Sequence, residues 1–141
     1  MMTNGDKLRK YCSYQDRSCL EVRRKMAQLL VPAEEADNLL AELIEEKYVD
    51  DARFAESFIR GKMLIKRWGR VKIKVELAQR GVASDIIKQK IDEMDDDIYI
   101  GNLKYLVEKW NRENPGGERE KMFRFLLSKG YEYAEINSVI K

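Results

Sequence analysis

The sequence predicts an all-α chain of three tandem three-helix repeats forming an elongated, curved array, and three observations carry that reading. Apolar residues recur at three and four residues, as in Val22, Met26 and Leu29 or Leu39, Leu40, Leu43 and Ile44, which is the helical rather than the strand period. Strand signals are weak: the 141 residues include two prolines, few threonines and no Asn-Gly turn between alternating apolar runs. The apolar positions also repeat along the chain.

The expected helices are 6–15, 18–30, 33–47, 51–66, 70–80, 84–94, 97–112, 118–129 and 133–140. Ser18 followed by Glu21 is a capping-box pattern that opens the second, and Pro32 separates it from the third. Asp50 or Asp51 suits the N-cap of the fourth, whose Phe54 and Phe58 fall at i and i+4 on a buried stripe. Gly69 and Gly81 bracket the fifth, and Ser84 is placed to cap the sixth, with Ile87 and Ile91. Leu103, Val107 and Trp110 give the seventh its period. Pro115-Gly116-Gly117 and Gly130 then separate the last two.

A register of 51 and then 49 residues superposes these segments. It aligns Val22 with Ile73 and Met122, Met26 with Leu77 and Leu126, and Val31 with Val82 and Tyr131. Ala36, Ile87 and Ile136 also align, as do Leu40, Ile91 and Ile140, and Gly81 falls on Gly130. The expected units are 1–50, 51–96 and 97–141. Stacked units of this kind bury a continuous core between neighbours and present a long face to a partner.

Composition narrows the function. Charged residues make up 37% of the chain, against about 25% for an average domain, yet 27 Lys and Arg nearly balance 25 Asp and Glu, so any electrostatic binding comes from local patches. Histidine is absent, which removes imidazole bases, Ser-His and Cys-His nucleophiles and His-containing zinc sites. Cys12 and Cys19 have neither redox nor zinc spacing and are expected as reduced thiols. No phosphate-binding glycine loop appears, and the acidic blocks lack the order of a calcium loop. No enzyme activity, cofactor, metal or small-molecule substrate is expected. The polar start, Met1 to Arg9, and the lack of a long apolar run point to a cytoplasmic protein without a membrane anchor.

Charge is segregated. Between residues 60 and 74 stand Arg60, Lys62, Lys66, Arg67, Arg70, Lys72 and Lys74 with no acid among them, whereas residues 34–56 carry nine acids. These seven cations are the candidate contacts for a partner or for DNA phosphates, because they have the least local acid to neutralise them. Trp68 sits among them, as a stacking surface or as core. The seven tyrosines recur near helix ends, where a ring buries its body and wets its hydroxyl.

Val49-Asp50-Asp51-Ala52-Arg53-Phe54-Ala55, followed by Phe58-Ile59-Arg60 and by Trp68-Gly69 before a basic helix, resembles the RecX regulatory family. Tyr11 to Ser18, Glu21 to Met26 and Glu76-Leu77-Ala78-Gln79-Arg80-Gly81-Val82 are similar to that family's first and middle repeats. The resemblance implies three three-helix repeats and a modulator of RecA recombinase. Such a modulator binds the RecA filament on single-stranded DNA and typically inhibits its ATPase, strand exchange and coprotease activities. It gives Asp51, Arg53, Phe54, Phe58, Gly69, Leu77 and Gly81 as motif positions with structural roles. Leu30, where the other two repeats have glycine, departs from the pattern and implies a different geometry there. The competing reading is a stand-alone helix-turn-helix DNA-binding protein, which the small net charge disfavours.

Overall fold

The computed structural model describes residues 1–140. Among them are nine helices and no strand: α1 (Asn4–Tyr14), α2 (Cys19–Gln28), α3 (Ala33–Glu45), α4 (Asp51–Leu64), α5 (Arg70–Gln79), α6 (Ser84–Asp92), α7 (Asp96–Glu113), α8 (Arg119–Ser128) and α9 (Tyr133–Val139). The expected third unit runs to residue 141, which lies outside the described residues. Helices pack in threes: α2 touches α1 and α3, α4 to α6 contact one another, and so do α7 to α9.

The second helix of each triplet ends in the same turn. Leu30, Gly81 and Gly130 take φ of 59°, 79° and 101°. Their N–H groups donate to the carbonyls of Ala27, Ala78 and Leu127, and the following N–H groups to those of Met26, Leu77 and Leu126. This is the Schellman ending, which pairs an apolar residue in the last turn with one just beyond the left-handed residue. Those pairs are Met26 with Val31, Leu77 with Val82 and Leu126 with Tyr131, the same residues that set the 51- and 49-residue register. What repeats in the sequence is therefore a turn.

Leu30 corrects one expectation: the first unit keeps the turn geometry although it lacks the glycine. A β-carbon in the left-handed region costs about 1–2 kcal/mol, and Leu30, 85% exposed, recovers little of that by burial. Leu30→Gly is expected to stabilise the protein by about 0.5–1 kcal/mol, raising the thermal midpoint by about 2 °C. A lower midpoint in a circular-dichroism melt would contradict the assignment of strain to this position.

The first helix of each unit starts on a side-chain cap, Thr3 for α1, Asp50 for α4 and Asp95 for α7. Ser18 and Glu21 form the reciprocal capping box of α2. Ser84 does not cap α6. The turn at Gly81 restarts the chain so early that Ala83 takes the N-cap position, without a side-chain bond, and Ser84 is already helical.

The core is not continuous, contrary to expectation. Leu8, Cys12, Val22, Met26, Leu40, Leu43 and Val49 form one cluster inside the first unit, while a second runs unbroken from Phe54 through Tyr99 to Ile136. Polar groups of the family-like motif join the two. Asp50 caps its own helix, and Asp51 Oδ1 accepts from the Cys19 N–H at 2.8 Å, capping α2 of the preceding unit. Arg53 donates to Asp16 at 2.8 Å and to the carbonyls of Lys47 and Tyr48, beyond the end of α3, while Ser57 donates to the other Asp16 oxygen. Phe54 is buried beneath this clasp, with Phe58 packed against the same core.

Candidate functional site

The basic stretch brackets the turn between α4 and α5, and backbone contacts set the position of that turn. Gly69, at the N-cap of α5, has no side chain to satisfy the helix's first N–H groups, so other helices do it. Gly69 N–H donates to the Lys129 carbonyl at 2.7 Å and Val71 N–H to the Gly130 carbonyl at 3.0 Å. Arg70 N–H donates to the Tyr99 hydroxyl at 3.0 Å. The carbonyl end of α8 thus meets the amide end of α5, a favourable alignment of helix dipoles.

Two buried tyrosines fasten the same junction. Tyr131 donates its hydroxyl to the Arg67 carbonyl at 2.7 Å, and Tyr99 donates to Glu135 at 3.1 Å. Both rings are essentially inaccessible, so these hydroxyls bond protein rather than water, unlike the expected wet tyrosine tips. Burial pushes both phenols well above their ordinary range and keeps them neutral.

The turn splits the seven predicted cations. Lys62 and Lys72 place their ammonium groups 4.7 and 4.4 Å from the centre of the Trp68 ring, and the Arg67 guanidinium lies 4.0 Å from that of Tyr105. Lys62, Lys66, Arg67 and Lys72 make no ion pair among the described residues. Arg70 is spent internally, bonded to Asp96 at 2.7 Å, near Glu135 at 3.5 Å and stacked on Tyr99. Its acids come from α7 and α9, which a local charge count misses. Arg60 turns away, lining a depression with Glu56, Glu93 and Asp95, and Lys74 lies on a different face of α5 from Lys72, beside α6. Trp68 is half-buried on the core beneath two cations, so it organises charge rather than offering a bare face to a base.

The third unit completes the cluster. Burial, followed by the charges of Lys72, Lys109 and Lys66, pulls the Lys129 ammonium below the usual lysine range. Lys66 and Lys72 from the second unit therefore converge with Lys109 of α7 and Lys129 at the end of α8. Beside them opens a groove of about 370 Å³ that Lys109, Trp110, Phe125 and Lys129 help to line. Aromatic rings thus lie beside cations here as well as at Trp68, in the next unit along the chain. Lys109 stands between Glu108 and Glu113 in sequence and Lys129 is isolated, so no local signal marks either.

Stacked three-helix units that bring cations of two units to one junction are the architecture of a helical-repeat protein. Residues 50–91 match the second three-helix domain of RecX. The chain is 32% identical to regulatory protein RecX of Clostridium perfringens over 127 residues, covering 86% of this chain and 59% of that one. With the Clostridium tetani protein of the same name it shares 38% over 104 residues, covering 70% and 47%. The crystal structure of RecX from Lactobacillus salivarius superposes with a TM-score of 0.88 at 25% identity, covering 96% of this chain and 91% of that one. The chain spans about half the length of the curated relatives it matches. It belongs to the RecX family.

Proposed function

We propose that this chain is a regulator that binds the RecA filament on single-stranded DNA and lowers its ATPase, strand-exchange and coprotease activities, without catalysis of its own. The observation that carries the reading is the cluster of Lys66, Lys72, Lys109 and Lys129 across the second and third units, held at one junction by the Gly69–Gly130 backbone contact. Among the described residues Lys109 alone of the four has an ion pair, to Glu113 at 3.8 Å. A filament on single-stranded DNA offers phosphate and acidic protein surface together, and both reward such a cluster. The reading places the protein in the cytoplasm with its recombinase; no described helix is long and apolar enough to cross a membrane. Major-groove reading by α5 is disfavoured, because the N-terminal end that a recognition helix presents to bases is occupied by Gly130, Lys129 and Tyr99.

The test is the ATPase rate of RecA on single-stranded DNA, measured with increasing amounts of the purified chain, beside a pull-down of RecA with and without DNA. Inhibition that saturates, with capture strongest when the filament is assembled, is the expected result. An unchanged rate at saturating protein, or capture of DNA alone, would sink the reading.

A further inference from the structure

The register that relates the three units also relates the intervals between their second and third helices, and the three intervals are closed differently. Position 74 aligns with 23 and 123, and position 88 with 37 and 137. In the first unit Arg23 and Asp37 bridge the interval with an ion pair at 2.9 Å. In the third, Phe123 stacks on Tyr133, the counterpart of Ser84, with ring centroids 4.8 Å apart. The second unit has neither device. Lys74 of α5 and Lys88 of α6 stand at these positions with like charge, and neither makes an ion pair among the described residues.

What remains between α5 and α6 is a groove of about 450 Å³ with Ala78, Ile87 and Ile91 among its lining. That volume is within the range of about 300–1,000 Å³ typical of ligand pockets. Two cations beside aliphatic carbon suit a ligand that is both anionic and apolar. Nucleic acid fits poorly, because the lining holds no aromatic ring for a base to stack on and Asp92 repels phosphate. We propose that this groove docks a short amphipathic helical segment of a partner protein, with leucine-sized side chains against Ala78, Ile87 and Ile91 and carboxylates between Lys74 and Lys88. The mode is a helix laid in a groove, read by anchors one turn apart. It goes beyond the filament reading and does not rest on it, since the convergent lysines 66, 72, 109 and 129 take no part.

The experiment is a titration of the full chain, isotope-labelled for amide NMR, with a synthetic helical peptide bearing leucines at i and i+4 between flanking glutamates. Shifts confined to Ala78 and to the α6 amides are expected, saturating below about 1 mM. Lys88→Asp installs in the second unit the pair that closes the first, and should weaken binding by about tenfold or more with an unchanged far-ultraviolet spectrum. Lys88→Glu serves as a second variant, and a lysine-flanked peptide should bind at least about tenfold less tightly. Parent-like binding by both variants, equal binding of the lysine-flanked peptide, or no shift at Ile87 and Ile91 would overturn the proposal. So would oligo(dT) moving the same amides and displacing the peptide. Shifts there on simple dilution would reassign the groove to a second copy of the chain.

Discussion

Gly69→Ala is expected to lower the thermal midpoint by about 10 °C and to loosen the second unit from the third. A β-carbon at Gly69 would lie 2.2 Å from the carbonyl carbon of Gly130, 2.3 Å from its oxygen and 2.4 Å from the Tyr131 nitrogen. All three are backbone atoms, so no flexible side chain can swing aside. Relief requires drawing α5 away from the end of α8, which breaks the bonds from Gly69 to Lys129 and from Val71 to Gly130. The Tyr131 bond to the Arg67 carbonyl and the Arg70 bond to Tyr99 are strained with them. Each buried polar group left unmet costs about 1–3 kcal/mol, so a total of about 3–5 kcal/mol is expected, against a typical stability of about 5–15 kcal/mol. Gly101→Ala is the control. Beyond its chain neighbours and the backbone of its own helix nothing lies within 4 Å of a β-carbon there, and alanine inside α7 should stabilise by about 0.5–1 kcal/mol. Circular-dichroism melts of the two variants decide the matter, and a parent-like midpoint for Gly69→Ala would refute the tightness of the contact.

Local chemistry explains where reading the chain succeeds and where it stops. Caps at Ser18 and Asp50 are legible because capping needs only residues three apart, and the Schellman pairs are legible because both members sit within one turn. Leu30 shows that a turn can outrank a side-chain preference, since its flanking apolar pair holds the geometry without the glycine. Ser84 shows the converse: a good capping residue one position late caps nothing. Asp51 is invisible as the cap of α2 because its partner is 32 residues earlier, and the acids that quench Arg70 are likewise remote. The convergence of Lys66 and Lys72 with Lys109 and Lys129 depends on Gly69 meeting Gly130, which charge counting along the chain does not register.

Replacing Lys66, Lys72, Lys109 and Lys129 together with alanine should therefore weaken binding to the RecA filament far more than removing Arg60, although Arg60 belongs to the same basic stretch. Arg60 faces Glu56, Glu93 and Asp95, whereas Lys66, Lys72 and Lys109 lie close enough to Lys129 to act on its charge. Among the described residues Glu113, 3.8 Å from Lys109, is the one acid paired to any of the four. Each phosphate contact on single strands contributes about 0.7 to the slope of log affinity against log salt, so four lost contacts should flatten it by about 3. Folding should not suffer. The Lys129 ammonium is disfavoured by burial and by its three cationic neighbours, so neutral side chains relieve repulsion within the folded state. The alanine variant should melt at or above the parent midpoint while its binding collapses, separating a contact role from a structural one. Oligo(dT) titrated at several salt concentrations then distinguishes the two surfaces a filament offers. A flattened slope on naked oligo(dT) assigns the lysines to phosphate. An unaltered slope there, with filament binding still lost, assigns them to acidic protein. Parent-like binding to both would remove this junction from the interface and leave the first unit, around Arg23, Arg24 and Lys25, as the surface that meets the filament.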